Sequence, residues 1–215
     1  MRLGIYVGSF NPVHKGHQFI ADYVVLKNYV DKVLMIPTES YWDKTGLIDL
    51  NHRLNMLKFC ENENILVSDE YSSCEFTYEI LEAIAEKSND TELYLIIGAD
   101  NLIKFELWEN IDLILKHKVL VLGRNDINMG EQIKKFTAEQ QNHFVLVKDF
   151  PEVDVSSTRV RNKLLSCNFS ELNNELDENV LQYILKNKLY CKGWGFWQYL
   201  RNLKYLHCYF SYILF

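Results

Sequence analysis

The sequence of 215 residues contains little proline and glycine, with three and nine residues respectively. Hydrophobic residues make up 48% and charged residues 24%, which excludes the collagen-like, low-complexity and wholly disordered classes. Positive charge is also scarce, and the formal net charge is −6. This charge argues against general binding to nucleic acids or anionic membranes, both of which favour a basic face.

Signals for metal binding and secretion are missing as well. The five cysteines form no Cys-x-x-Cys pair and show no metal-ligand spacing, so we predict reduced thiols and no metal held by the protein. The apolar run after Met1 is too short for a signal peptide. The uncharged run 205–215 is too short to span a bilayer. We therefore expect a cytoplasmic protein with no transmembrane segment.

Short apolar runs alternate with amphipathic stretches along the first 190 residues. Strands are predicted at Leu3–Gly8, Lys32–Ile36, Ile65–Val67, Leu93–Ile97, Val119–Leu122 and Phe144–Val147. Helices are predicted at Gln18–Asn28, Leu50–Cys60, Thr77–Glu86, Leu107–Lys116, Ser156–Leu165 and Glu178–Lys188. This alternation predicts an α/β fold with a doubly wound, mainly parallel sheet. Ligands of such folds bind beyond the carboxyl ends of the strands.

The composition changes after Tyr190, where aromatic side chains become frequent. We therefore divide the chain into a main domain, residues 1–190, and a short aromatic-rich C-terminal extension, residues 191–215. The extension is expected to pack on the domain or to form a subunit contact, which allows for a homo-oligomer. A peripheral membrane contact and an unfolded extension are the alternatives.

The loop after the first predicted strand carries the strongest chemical signal. It reads Gly8-Ser9-Phe10-Asn11-Pro12-Val13-His14-Lys15-Gly16-His17. Gly8 and Gly16 allow backbone to approach a ligand closely. His14 and His17 stand at the entrance to a helix, whose N–H groups and dipole favour an anion. Because the chain has neither a Walker loop nor a dinucleotide-binding glycine fingerprint, this loop predicts a phosphate site of another kind.

A second loop, 155–161, reads Val-Ser-Ser-Thr-Arg-Val-Arg. Ser156 or Ser157 is a reasonable N-cap, Thr158 can donate a hydroxyl, and Arg161 can pair with a phosphate. On its own, such a pattern is typical of a capped helix start with a solvated arginine. Beside the first loop, it indicates a second phosphate contact.

The first loop resembles the signature G-x-F-x-P-x-H-x-G-H of the HxGH nucleotidyltransferases, and all six fixed positions match. The second loop is similar to their I-S-S-T-x-I-R element. The resemblance implies a Rossmann-like nucleotidyltransferase domain over residues 1–190. It implies catalytic roles for His14, His17 and Arg161. It also implies ATP contacts by Gly8, Ser9, Phe10, Gly16, Ser156, Ser157 and Thr158.

Further segments resemble the nicotinate-nucleotide adenylyltransferases. The turn Ile97-Gly98-Ala99-Asp100 resembles their I-G-x-D turn, and Thr77 lies in a segment like their S-Y-T element. Trp108 falls where that family carries an aromatic side chain that stacks on the pyridine ring. The resemblance implies that Thr77, Asp100 and Trp108 bind the acceptor. The alternatives are purely structural roles, as a core aromatic for Trp108 and as a helix cap for Asp100.

The loop after the second strand departs from the family pattern. Where the family places P-P-H-K, this chain has Ser40-Tyr41-Trp42-Asp43-Lys44. Lys44 could reach an acceptor phosphate, and a solvated surface lysine is the alternative. The identity of the acceptor mononucleotide is therefore open.

The resemblance implies transfer of AMP from ATP to nicotinate mononucleotide, with Mg²⁺ accompanying ATP and no nucleic-acid partner. The same reaction on nicotinamide mononucleotide, or on another phosphorylated acceptor, is one alternative. A catalytically silent nucleotide-binding module is the alternative from a different class.

Overall fold

The computed structural model describes residues 1–39, 46–88, 90–123, 127–151, 153–166 and 171–190. The aromatic-rich extension and Lys44 lie outside the described residues. Within these ranges, no helix has both the length and the apolar character needed to cross a membrane.

Six strands form one parallel sheet in the order β3-β2-β1-β4-β5-β6. The strands are β1 Arg2–Gly8, β2 Lys32–Pro37, β3 Ile65–Val67, β4 Glu92–Gly98, β5 Lys118–Leu122 and β6 Phe144–Val147. The central strand β1 pairs with β2 on one side and with β4 on the other. This arrangement confirms the predicted α/β fold with a parallel sheet.

Helices follow the strands along the described residues. They are α1 Lys15–Leu26, α2 Leu50–Leu57, α3 Thr77–Lys87, α4 Ala99–Leu102, α5 Ile111–Ile114, α6 Met129–Ile133, α7 Ala138–Gln141, α8 Ser157–Leu165 and α9 Glu178–Lys186. Short 3₁₀ turns lie at Lys58–Cys60, Phe105–Leu107 and Leu172–Asn174.

The sheet is buried on both faces, which explains the continuous apolar runs of its strands. Along β5, Leu120 and Leu122 join a core with α1, α2, α8 and α9. The alternate residues Val119 and Val121 join a second core on the other face, with α3, α4 and α5. The doubly wound architecture follows from this division, because each strand supplies apolar side chains to both layers.

One helix prediction is wrong. Instead of a helix over Leu107–Lys116, the chain forms a 3₁₀ turn that ends at Leu107 and then the short helix α5. Trp108 is extended, and Asn110 adopts the left-handed region at φ 50°. Asparagine tolerates this conformation better than most residues, so it interrupts an otherwise periodic apolar pattern. The break leaves Trp108 outside a helix.

Candidate active site

A cleft of about 660 Å³ lies at the carboxyl edge of the sheet. It lies beside β1 and β4, which are neighbours in the sheet. The chain after β1 continues to α1 on one face, whereas the chain after β4 continues to α4 on the other. Such a switch point leaves a crevice between the two connections. The predicted site residues that line this cleft are Gly8, Ser9, Phe10, His14, Gly16, His17, Thr77, Asp100, Trp108, Ser156, Ser157, Thr158 and Arg161.

The two histidines lie at the start of α1. His14 is the N-cap residue and His17 lies in the first turn, with their rings stacked at a centroid distance of 3.7 Å. The backbone N–H of His14 donates to Nδ1 of His17 at 3.2 Å. Because Nδ1 accepts this bond, the proton of a neutral His17 ring belongs on Nε2. His17 therefore presents an N–H donor at a helix N-terminus, where backbone amides already favour an anion.

Phe10 supports His17 from the core. Its side chain is 1% exposed, and its ring lies edge-on to the His17 ring at 5.0 Å. The backbone of Phe10 adopts φ 43°, a conformation that is uncommon for a bulky residue and is kept only where packing enforces it. The signature phenylalanine thus packs against the ring of His17.

Gly16 allows the first turn of α1 to pack against the segment that precedes α8. A Cβ atom on Gly16 would lie 2.6 Å from Cγ1 of Val155 and 3.0 Å from Cγ1 of Val153. These separations are shorter than van der Waals contact, so a larger residue at this position would force the two valine side chains to shift. The two predicted phosphate loops are therefore in direct contact.

Hydrogen bonds also join the two loops. Ser156 is the N-cap of α8 and accepts from the backbone N–H of Arg159 at 3.2 Å. Ser157 instead donates from Oγ to the carbonyl of Pro12 at 2.9 Å. Of the two predicted capping candidates, Ser156 is the cap and Ser157 binds the first loop.

Two arginines of α8 have different environments. Arg161 lines the cleft, where it donates to the carbonyl of Asn11 at 2.8 Å and to Oγ1 of Thr158 at 3.2 Å. Arg159 binds Glu175 at 2.8 Å and also pairs with Asp154. The hydrogen bond that Arg159 donates to the Glu175 carboxylate raises the pKa of Arg159. Arg161 is therefore the better placed of the two for an anionic ligand in the cleft.

A second cleft of about 530 Å³ opens beside the first. The two share Val7, Thr77, Asp100, Asn101 and Trp108. Trp108 packs on the buried Phe105 at a ring distance of 5.1 Å, so it is partly a core aromatic and also part of both cleft walls. Thr77 begins α3, and Asp100 lies in the first turn of α4. The predicted acceptor residues that the structure describes thus lie between the two clefts.

Arg53 is a structural residue that sequence reasoning missed. Its side chain is 1% exposed, and burial lowers its pKa. It donates to the carbonyls of Ser9, Thr38 and Ile48 at 2.7–3.0 Å. These carbonyls follow β1, follow β2 and precede α2, so Arg53 joins three segments beneath the site. An arginine in an amphipathic helix gives no signal of this role, because the role depends on tertiary contacts.

Sequence reasoning also missed the contact between Asn11 and Tyr190. Asn11 occupies a variable position of the signature and is 3% exposed. Its side-chain oxygen accepts a hydrogen bond from the phenol of Tyr190 at 2.7 Å. No local pattern predicts this contact, which joins residues 179 positions apart.

Comparisons with known proteins agree with this geometry. The family model described as cytidylyltransferase-like matches residues 5–163. A Clostridium novyi protein named "probable nicotinate-nucleotide adenylyltransferase" is 34% identical over 171 residues, which cover 75% of this chain and 86% of that protein. A Lactococcus lactis protein of the same name is 31% identical over 198 residues, covering 89% and 96%.

A solved structure supports the fold. The Plasmodium falciparum nicotinic acid mononucleotide adenylyltransferase complexed with NaAD superposes with a TM-score of 0.73 at 22% identity. The match covers 88% of this chain and 97% of that protein. From the sequence matches and the shared fold, we conclude that the chain belongs to the nicotinate-nucleotide adenylyltransferase family, within the cytidylyltransferase-like nucleotidyltransferases.

Proposed function

We propose that this protein transfers AMP from ATP to nicotinate mononucleotide, giving nicotinate adenine dinucleotide and pyrophosphate in NAD biosynthesis. The observation that carries the proposal is the contact between the N-termini of two helices, α1 and α8, in the lining of one cleft. Trp108 lines the same cleft. The names of its relatives support the same reaction.

The reaction needs positioning more than proton transfer. A phosphate oxygen of the mononucleotide attacks the α-phosphorus of ATP, and the bond between this phosphorus and the bridging oxygen breaks. The electron pair leaves with pyrophosphate. Because the attacking phosphate is already an anion near neutral pH, no strong general base is required. The protein supplies in-line placement and donors for charge on the transferring group.

In our proposal, the residues of the two loops contact different phosphates of ATP. The Nε2–H of His17 contacts the α-phosphate, where negative charge increases in the transition state. His14 helps to hold the phosphate chain. Arg161 and the start of α8 hold the β- and γ-phosphates. Backbone from Gly8 to Phe10 and at Gly16 lies against the nucleotide, as their place in the cleft lining allows.

The donor set fits a Mg²⁺ ion that is bound mainly by ATP. Asp100 is the single carboxylate among the described residues that line the first cleft. No group of three His, Cys, Asp or Glu residues in the described ranges could hold a metal ion. Mg²⁺ usually keeps several waters and binds through substrate phosphates, where it neutralises negative charge.

The acceptor is proposed to occupy the second cleft. Trp108 offers a flat face for the pyridine ring. A nicotinate carboxylate would meet backbone N–H groups at the start of α3 and the ammonium of Lys104, which lines this cleft. One observation favours the neutral nicotinamide form instead, because Glu75, Asp100 and Glu109 line the same cleft. Carboxylates accept hydrogen bonds from a carboxamide and repel a carboxylate.

The test follows the α-phosphate of ATP. Purified protein is incubated with Mg²⁺, nicotinate mononucleotide and ATP labelled on either the α- or the γ-phosphate. The proposal predicts that the α-label appears in the dinucleotide and the γ-label in pyrophosphate. Release of labelled inorganic phosphate from γ-labelled ATP would contradict it. Binding of ATP without turnover on any acceptor would support the silent binding module.

A further inference from the structure

Tyr190 lies just beyond α9 and contacts the signature loop from the far end of the described chain. Its phenol donates to Oδ1 of Asn11 at 2.7 Å. Asn11 is 3% exposed, so this contact is largely shielded from water. A hydrogen bond in such surroundings fixes geometry more firmly than one on the surface.

Asn11 joins Tyr190 to two other segments, the one that precedes α2 and the helix α8. Its Nδ2 donates to the carbonyl of Gly46 at 3.1 Å, and its Oδ1 also accepts from the backbone N–H of Ile48 at 3.4 Å. Its own carbonyl accepts from Nη1 of Arg161 at 2.8 Å. Both acceptor sites of the side-chain oxygen are therefore used, and Arg161 is bound to the same residue that Tyr190 holds.

The surroundings of Tyr190 keep its hydroxyl protonated and in place. Burial raises the pKa of Tyr190, although the nearby positive charges of Arg161 and Arg53 oppose this effect. The backbone of Tyr190 adopts φ 57°, a left-handed conformation that is unfavourable for tyrosine. The preceding Leu189 is buried and donates to the carbonyl of Ile184 at 3.0 Å. The turn after α9 is thus held in an unfavourable conformation that directs the phenol to Asn11.

We propose that Tyr190 is a positioning residue for ATP binding, acting through Asn11 on Arg161. The phenol fixes the Asn11 side chain, Asn11 fixes the loop carbonyl that binds Arg161, and Arg161 faces the phosphates. This inference rests on the proposed function, because it assigns a nucleotide to the cleft. It adds a residue outside both phosphate loops to the set that determines how tightly ATP is held.

The test compares Tyr190→Phe with Tyr183→Phe. Tyr183 lies on α9, and its hydroxyl bonds to Nδ1 of His52 at 3.0 Å and to Nδ2 of Asn55 at 3.1 Å, away from the signature loop. Each variant loses a hydroxyl and keeps its ring. We expect Tyr190→Phe to weaken binding of a non-hydrolysable ATP analogue, and to lower kcat/KM for ATP, by about tenfold. Tyr183→Phe should leave both within about twofold, although both variants lower Tm.

A double-mutant cycle with Asn11→Ala tests the route of the effect. If Tyr190 acts through Asn11, Tyr190→Phe changes the affinity for the ATP analogue little in the Asn11→Ala background. If the losses of affinity in the two single variants add up in the double variant, the proposed route through Asn11 is overturned. If Asn11→Ala fails to fold, the comparison of the two tyrosine variants still decides whether Tyr190 has a role beyond stability.

The outcomes separate this inference from the proposed function. Wild-type protein that binds the ATP analogue, together with a Tyr190→Phe variant of unchanged affinity, overturns the inference and leaves the function intact. Wild-type protein that binds the analogue but does not use nicotinate mononucleotide overturns the function, and the affinities still test Tyr190. Wild-type protein that binds no ATP analogue overturns both.

Discussion

At the scale of the residue, the candidate site depends on how His17 is held. Its Nδ1 accepts a hydrogen bond from the His14 backbone, its ring stacks on His14, and Phe10 packs against its edge. These contacts fix both the tautomer and the direction of the ring. A donor whose orientation is fixed before the reaction stabilises developing charge without reorganisation.

We predict that His17→Ala lowers kcat by about 10²–10³, because it removes one donor to the transferring phosphate. The affinity for a non-hydrolysable ATP analogue should change far less, since the α8 loop and Arg161 remain. Steady-state kinetics and calorimetric titration measure the two quantities. His143→Ala is the matched control, because His143 lies just before β6 and outside both cleft linings. Near-normal kcat in His17→Ala would refute the role of His17.

Arg53 contributes to stability at the same scale. Arg53→Met removes the donor to three backbone carbonyls, and each unsatisfied buried acceptor costs about 1–3 kcal/mol. Part of this cost is offset because a buried charge is also removed. We therefore expect the free energy of unfolding in urea to fall by about 2–4 kcal/mol.

The control for Arg53 is Lys58→Met, a substitution at an exposed position just after the same helix. Surface substitutions of this kind change stability by about 0.5 kcal/mol or less. Equal losses in the two variants would show that the Arg53 contacts do not stabilise the fold.

At the scale of the element, α1 and α8 form one unit because their N-termini meet. Gly16 permits the approach to Val155, and Ser157 and Arg161 bind carbonyls of the first loop. Two helix N-termini therefore face one cleft from adjacent positions. This arrangement concentrates N–H donors at one place. The protein has a net charge of −6, which repels anions, so these local donors attract an anion against that overall repulsion.

Gly16→Ala is predicted to separate these two helices. The added methyl group would overlap Val155, and overpacking of this kind costs about 1–3 kcal/mol of stability. We expect weaker ATP-analogue binding as well as a lower Tm. Gly130→Ala in α6 is the control, because its Cβ would meet a side-chain oxygen of Asn128 at 3.3 Å and lies outside both cleft linings. If Gly16→Ala binds the analogue as wild type does, the contact is not required for the site.

The sequence was sufficient for the strands and for the position of the two predicted phosphate loops at the starts of α1 and α8, because their signals are local. Apolar runs define buried strands, and the spacing of His14 and His17 places them at the start of α1. The sequence was insufficient where tertiary contacts determine the conformation of the backbone or the partners of a side chain. The turn at Asn110 breaks a periodic pattern, and the partners of Arg53 come from three separate segments. Short helices such as α4 and α7 were missed because four residues carry no measurable periodicity.

At the scale of the whole molecule, the fold places the candidate site at the switch point between the neighbouring strands β1 and β4. The connections after β1 and β4 cross to opposite faces, and the turn at Tyr190, the last described residue, contacts the signature loop. In our proposal this turn belongs to the candidate site. The domain boundary after Tyr190 stays a prediction.

Truncation tests this boundary. A chain that ends after Tyr190 should fold and bind the ATP analogue with wild-type affinity. A chain that ends after Lys188 lacks the buried Leu189 and the phenol bound to Asn11, so we expect weaker binding and a lower Tm. Loss of binding in the longer chain would show that residues 191–215 belong to the core of the domain.

One set of kcat/KM values decides which reaction the protein catalyses and which acceptor it uses. ATP is held constant, and nicotinate mononucleotide, nicotinamide mononucleotide, phosphopantetheine and riboflavin phosphate are compared as acceptors. We predict that nicotinate mononucleotide is preferred over the nicotinamide form by about tenfold, a difference of about 1.4 kcal/mol, with little turnover of the other two. Equal or faster turnover of the nicotinamide form would contradict the preference. Turnover of only a non-pyridine acceptor would contradict the proposed function itself.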